Sequence, residues 1–203
     1  LVRDPRWGRV MESTGEDPLL NSRLAAAMVR GYQGENLKED NWRVAACVKH
    51  FAAYGGALAG RDYNTVDMSE RQLREMYLPG YKAGLDAGAK LVMTSFNTVD
   101  GIPATGNQWL FRDVLRNEFG FEGVVISDWG AIKELIPHGV AKDEKQAAEL
   151  AIKAGVDIEM MTTCYPDYLK ELLEEGRIAE TLIDEAVMRI LKLKNELGLF
   201  ENP

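Results

Sequence analysis

The chain has 203 residues, 46% hydrophobic and 28% charged, and its 24 Lys plus Arg against 32 Asp plus Glu give a formal net charge of −8. That size and apolar share can supply a sizeable core, while the acidic balance argues against a nonspecific binder of nucleic acid or anionic membrane, which carries a basic face. No apolar run approaches the roughly 20 residues of a membrane-spanning helix, and Cys47 and Cys164 form no CxxC pair, so neither a disulfide framework nor a zinc site is implied.

The chain opens on Leu1 without a charged-then-apolar leader, so the expectation is a segment cut at its start. Asp17-Pro18 then reads as N-cap and first-turn proline of a helix running through Leu20, Leu24 and Met28 towards Gly31. An apolar run from Val44 to Phe51 follows, and three more lie at Lys90 to Asn97, Gly123 to Asp128 and Val156 to Met161. All are short and rich in β-branched or sulfur side chains, as strands covered on both faces are. Between them, Ser69 with Gln72 starts a helix as a capping box. Asn107 caps another, whose Leu110, Val114 and Leu115 share one face before Gly120. Further helices follow Lys142 and Asp167, ending near Gly155 and Gly176, and the last runs from Glu180 with Ile183, Val187, Leu191 and Leu193 before Gly198. Strand alternating with helix predicts an α/β fold with a parallel sheet. A closed barrel takes eight strands and about 250 residues, so four predicted strands point to a partial (β/α)8 TIM-type barrel.

Barrel enzymes place their chemistry at the carboxyl ends of strands, and each predicted strand finishes in polar residues. The third ends Ser127-Asp-Trp129. A carboxylate beside an apolar run must be hydrated or hydrogen-bonded, so Asp128 either caps the following turn or serves as a nucleophile or general base, with Trp129 as a wall for a ligand ring. The first strand ends Lys49-His50-Phe51. His50 is either a buried structural histidine or a donor to hydroxyls; Lys49 either snorkels outward or donates, and its charge would lower the pKa of a nearby Asp. Gly55 to Asp62 superficially resembles a phosphate loop, but Arg61 replaces the lysine and Asp62 stands where Ser or Thr would hold magnesium. Met93 and Phe96 pack or form an apolar platform. Arg3-Asp-Pro-Arg-Trp-Gly-Arg9 is a basic, aromatic loop in which Trp7 suggests something folded over a pocket. His138 carries no assigned role.

Taken together, Arg3-Asp-Pro-Arg-Trp-Gly-Arg9, Gly15-Glu-Asp-Pro18, Lys49-His50-Phe51, Ser69-Glu-Arg71, Asn97 with Asp100-Gly101, Ser127-Asp-Trp129 and Gly198-Leu-Phe200 resemble, in the same order, the motifs of glycoside hydrolase family 3, and most of all its bacterial β-glucosidase branch. The resemblance covers essentially the whole chain. It implies residues 1–199 as the later portion of the N-terminal catalytic barrel and 200–203 as the start of an interdomain linker. The missing barrel strands and an α/β sandwich domain would belong to the parent chain.

By the same resemblance Asp128 matches the nucleophile of a retaining, exo-acting β-glycosidase that removes terminal non-reducing β-D-glucosyl residues through a covalent glycosyl–enzyme intermediate. Arg9, Lys49, His50 and Arg61 match residues that hydrogen-bond the sugar hydroxyls, and Met93 and Trp129 match walls of that subsite. Phe96 stands where many relatives carry a tyrosine that helps position the nucleophile. The substrate implied is a β-glucoside or oligosaccharide, with no metal or cofactor, and with relatives both exported and cytosolic the compartment stays open. A retaining mechanism needs an ionised carboxylate and a second, protonated carboxyl about 5–5.5 Å away; Lys49 and the arginines would keep Asp128 charged. In relatives of this type the acid/base glutamate lies in the second domain and an aspartate gripping the sugar lies upstream of Leu1. Lys49-His-Phe-Ala-Ala-Tyr-Gly55 departs from the Lys-His-Phe-Pro-Gly-His-Gly motif of the β-N-acetylglucosaminidase branch, which carries its own His–Asp acid. Two other readings stand beside this one: a catalytically incomplete sugar-binding fragment, with Asp62 and Glu70 the first acids to mutate if it proves active, and a barrel lyase using Lys49 as a Schiff base.

Overall fold

The computed structural model describes residues 1–40, 42–63 and 65–201. Helix α1 (Pro18–Gln33) leads into strand β1 (Cys47–Phe51). Helices α2 (Glu70–Gln72) and α3 (Leu78–Asp86), joined by the π-helical turn Leu73–Tyr77, lead to β2 (Leu91–Thr94). A small antiparallel ribbon, β3 (Thr98–Val99) and β4 (Ile102–Pro103), precedes the π-helical segment Trp109–Glu118, which returns the chain to β5 (Val124–Trp129). Then α4 (Glu144–Ala154), β6 (Ile158–Met160), α5 (Cys164–Glu174) and α6 (Glu180–Glu196) complete the described chain. The four main strands form one sheet in the order β1-β2-β5-β6, every pair parallel. This is the expected part-barrel arrangement, each strand followed by helix and laid beside its predecessor.

Short-range chemistry accounts for the helix starts. Asp17 Oδ1 accepts from the Leu20 N–H at 2.8 Å, Ser69 Oγ from Gln72 at 3.2 Å and Asn107 Oδ1 from Leu110 at 3.2 Å. The fourth cap is Asp143, one residue beyond Lys142, accepting from Gln146 at 2.8 Å. α5 begins at Cys164, ahead of Asp167, because Glu159 reaches from β6 to accept from the Cys164 and Tyr165 N–H groups at 3.0 and 2.7 Å. Two glycines on α3 are required by close approach: a Cβ at Gly80 would stand 1.9 Å from Asn21 Oδ1 of α1, and one at Gly84 would stand 2.8 Å from Val48 of β1.

The core lies between the sheet and its helices, where Phe51, Val92 and Val125 meet Leu110, Phe111, Val114 and Leu115 of the π-helical segment and the alanine face of α4. The expected stripes of α1 and α6 behave differently. Leu20, Leu24 and Met28 are 49, 38 and 52% exposed, and Val187 and Leu191 are 45 and 40% exposed, while Val29 and Ala186 are the buried apolar side chains of those helices. α1 packs chiefly on α3, and α6 on β5 and α4, so in each helix the covered face is narrower than the apolar stripe. Among the described residues no helix is long and apolar enough to cross a membrane. Of the expected linker at 200–203, Phe200 is exposed and positions 202 and 203 lie outside the described residues.

Candidate active site

The carboxyl ends of β1, β2, β5 and β6 converge on Asp128. It is the penultimate residue of β5 and is 8% exposed. Its Oδ1 accepts from the Trp129 N–H at 2.6 Å, so it makes the turn-capping bond the sequence allowed. Its Oδ2 is buried and without a hydrogen-bond partner among the described residues, although His50 Nε2 lies 3.3 Å away. Burial raises the Asp128 carboxyl above its ordinary range; the Trp129 N–H and the charges of Arg9 and Lys49 pull the other way. Lys49 and Arg9 thus act in the expected direction, favouring the charged carboxylate, while desolvation at the strand end, the larger influence, sets the net upward direction.

His50, 7% exposed, has its pKa pushed down to about 3, first by burial and then by the charges of Lys49 and Arg9. It is neutral near pH 7. A guanidinium can only donate, and Arg9 Nη2 stands 3.3 Å from His50 Nε2. The same Nε2 lies 3.3 Å from both Arg9 Nη2 and Asp128 Oδ2; in the tautomer that carries its hydrogen on Nδ1 it accepts from Arg9 and has no proton to offer Asp128.

Arg9 comes from the opening loop and is held by Glu12, with Nε and Nη2 donating to the two carboxylate oxygens at 2.7 Å each. Its guanidinium also lies 5.2 Å from the Tyr54 ring centre. The loop itself folds over the strand ends as the sequence suggested. Trp7 is buried against Tyr54, Phe96 and Ala131, and its indole N–H donates to Asp62 at 3.0 Å. Gly60 is required here: its φ is +66° and a Cβ would stand 2.9 Å from the Trp7 nitrogen. Phe96 packs on Tyr63 and Tyr54 with ring centres 4.5 and 5.9 Å apart. Burial, followed by the neighbouring Asp62, drives the Tyr54 hydroxyl far above the ordinary phenol range.

Of the residues singled out from sequence, Arg9, His50 and Asp128 are brought into contact, and Lys49 and Trp129 stand exposed beside them. Met93 is half-buried in β2, paired in register with Ile126. Arg61 is exposed on the loop after Gly60. Glu70 pairs with Arg74 at 2.7 Å on an exposed helix start, and Asp62 is engaged by Trp7, so neither is a free acid. Sequence reasoning passed over Glu12, which its i+3 spacing from Arg9 could have flagged. It also passed over Glu134, a half-buried carboxyl raised by burial and then by the charge of Asp128. Among the described residues no group of three or more His, Cys, Asp and Glu side chains is arranged to hold a metal ion.

A parallel β/α sheet with a buried aspartate, an imidazole and a guanidinium gathered at its strand ends defines a barrel-type α/β domain with a polar site at one rim. Residues 1–193 match the sequence profile of the glycosyl hydrolase family 3 N-terminal domain, and the chain belongs to that family. It is 48% identical to a periplasmic beta-glucosidase of Salmonella typhimurium over 100% of this chain and 26% of that protein. It is 39% identical to a beta-xylosidase of Formosa agariphila over 98% of this chain and 29% of that protein. The solved beta-glucosidase of Listeria innocua in complex with isofagomine superposes with a TM-score of 0.99 at 66% identity, over 100% of this chain and 29% of that one. The chain thus spans under a third of the length of these relatives.

Proposed function

We propose that this chain is the later part of the catalytic barrel of a retaining, exo-acting β-glycosidase of the β-glucosidase type. In this reading Asp128 attacks the anomeric carbon of a terminal β-D-glucosyl residue as the glycosidic C–O bond breaks and the leaving oxygen takes a proton from the acid/base partner; water then hydrolyses the glycosyl ester, releasing glucose and freeing Asp128. The observation that carries the reading is the Asp128 carboxylate: buried, at a strand end, with Oδ2 left unbonded beside a neutral His50. A nucleophile needs a lone pair not committed to other donors. An oxygen satisfied by its surroundings would have to break those bonds to react. Lys49, Arg61 and His50 are assigned to the sugar hydroxyls, Arg9, oriented by Glu12, to the same task, and Met93 and Trp129 to the apolar face of the ring. Family membership and the beta-glucosidase relatives support the substrate class.

The acid/base partner and the remaining strands are assigned to parts of the parent protein beyond these residues. The test is inactivation of the full-length protein with a 2-deoxy-2-fluoro β-glucoside carrying a good leaving group, followed by peptide mass mapping. The adduct is expected on Asp128; an adduct on another residue ends the assignment. The 203 residues alone are expected to turn over aryl β-glucosides negligibly. Robust turnover by them would require a proton donor within the chain, and Glu134, whose carboxyl is raised by burial and by Asp128, is the one to replace first.

A further inference from the structure

The carboxylate of Asp128 is aimed by its backbone, since one oxygen bonds only its own following N–H and the other is unbonded among the described residues. The backbone at that point is not held by an ordinary ladder. Pairing between β2 and β5 runs in register from Leu91 with Val124 to Met93 with Ile126, and then stops. Between β5 and β6 the register breaks between Ile126 and Trp129. Hydroxyl groups take over in both gaps. The Asp128 N–H donates to Thr94 Oγ1 at 3.2 Å, and Thr94 Oγ1 in turn lies 2.9 Å from Thr105 Oγ1, brought in by the turn after β4. On the other side the Met160 N–H donates to Ser127 Oγ at 2.8 Å, and Ser127 Oγ donates to the Asp128 carbonyl at 3.0 Å. Thr94 and Ser127 are fully buried and Thr105 is 2% exposed.

We propose that Thr94, backed by Thr105, and Ser127 are positioning residues for the nucleophile: their hydroxyls replace backbone rungs on either side of Asp128 and fix the peptide from which its carboxylate projects. The physical reason is that a regular rung would continue the pleat and keep the strand straight. A side-chain hydroxyl satisfies the same N–H while letting the main chain leave the ladder and turn the carboxylate towards the rim. Thr94 and Ser127 therefore act on the reaction without touching substrate. The proposal rests on Asp128 being the nucleophile.

The experiment uses the full-length protein and three variants, Thr94→Val, Thr94→Ser and Ser127→Ala. The readouts are the rate of labelling by the 2-deoxy-2-fluoro β-glucoside, the inhibition constant of glucose, and hydrogen exchange in peptides containing Asp128 and Met160. Thr94→Val is expected to label about 10- to 100-fold more slowly, the size of effect a misplaced reacting group produces, with glucose inhibition unchanged and faster exchange at Asp128. Thr94→Ser, which keeps the hydroxyl, is expected to restore the rate. Ser127→Ala is expected to slow labelling and speed exchange at Met160, and it carries the test if Thr94→Val does not fold. A wild-type labelling rate in either hydroxyl-free variant, or Thr94→Ser as slow as Thr94→Val, overturns the proposal. Labelling of the unmutated protein away from Asp128 is a separate result, which removes the nucleophile assignment itself.

Discussion

Asp128 and Asp157 occupy opposite ends of the same two strands, and the fold treats their carboxylates in contrasting ways. Asp157 lies just before β6 and has a side chain only 2% exposed. Its Oδ2 accepts from Arg116 at 3.0 Å and from the Val125 N–H at 2.8 Å, and its Oδ1 from Arg189 at 2.9 Å. Burial raises its carboxyl, and two guanidiniums with a backbone N–H oppose that. Asp128 suffers the same desolvation with one backbone donor and an unbonded oxygen. The difference teaches what each end of the sheet is for. At the amino end a buried charge is fully engaged and ties β5, β6, α6 and the π-helical segment into one unit. At the carboxyl end a buried charge is kept under-engaged, the state the proposed role as nucleophile requires.

Four predictions break or sharpen this contrast. The largest effect is expected from Asp128→Asn in the full-length protein, where turnover of an aryl β-glucoside should fall on the order of 10⁵-fold, as when other covalent nucleophiles are removed. Retention of near-normal turnover would make Asp128 a structural aspartate like Asp157. Next comes Asp157→Ala, which takes the shared carboxylate away from the half-buried guanidiniums of Arg116 and Arg189. Breaking one side of a buried pair costs about 3–5 kcal/mol, measurable as a lower urea midpoint; an unchanged midpoint would sink the claim that this end holds the fold together.

Third is a pH effect. His50 is held near pKa 3 in the fold against an ordinary 6.5, so below 6.5 the unfolded chain takes up a proton that the folded chain refuses. Stability should therefore fall as pH drops from 6.5 towards 3, and His50→Asn should flatten that part of the melting-temperature curve. Identical curves would refute it. The smallest effect is the stability of Asp128→Asn. A carboxyl raised by the fold is more readily deprotonated in the unfolded chain, so its stabilising share is present below the unfolded value and lost as pH rises through the folded one. At pH 7 the desolvation penalty outweighs the Trp129 N–H bond and the attraction of Arg9 and Lys49. Replacing the charge should raise the melting temperature there, and a lower value would contradict the net desolvation cost assigned to this carboxylate.

Much of the fold was legible because its signals are local. The four strands, their parallel order and the caps at Asp17, Ser69 and Asn107 follow from runs and i+3 spacings that need no distant partner. The start of α5 was misplaced because its cap, Glu159, reaches in from a neighbouring strand. The apolar stripes of α1 and α6 were legible as patterns, but whether a stripe is covered depends on which elements pack against it. At the site, Asp128, His50 and Arg9 stood out as strand-end and loop residues. Glu12 and Glu134 did not, since nothing in their immediate sequence distinguishes them from surface carboxylates.

By itself, then, the amino-acid sequence determined the alternation of strand and helix, the carboxyl-end placement of its polar residues and, through the order of its motifs, the family. Only the tertiary structure decided that His50 is neutral, that Asp128 is pushed up despite nearby cations, and that hydroxyls of Thr94 and Ser127 stand in for missing rungs. Caps and periodicities are set by residues three or four apart, whereas desolvation and cross-strand hydrogen bonds are sums over neighbours that only folding brings together.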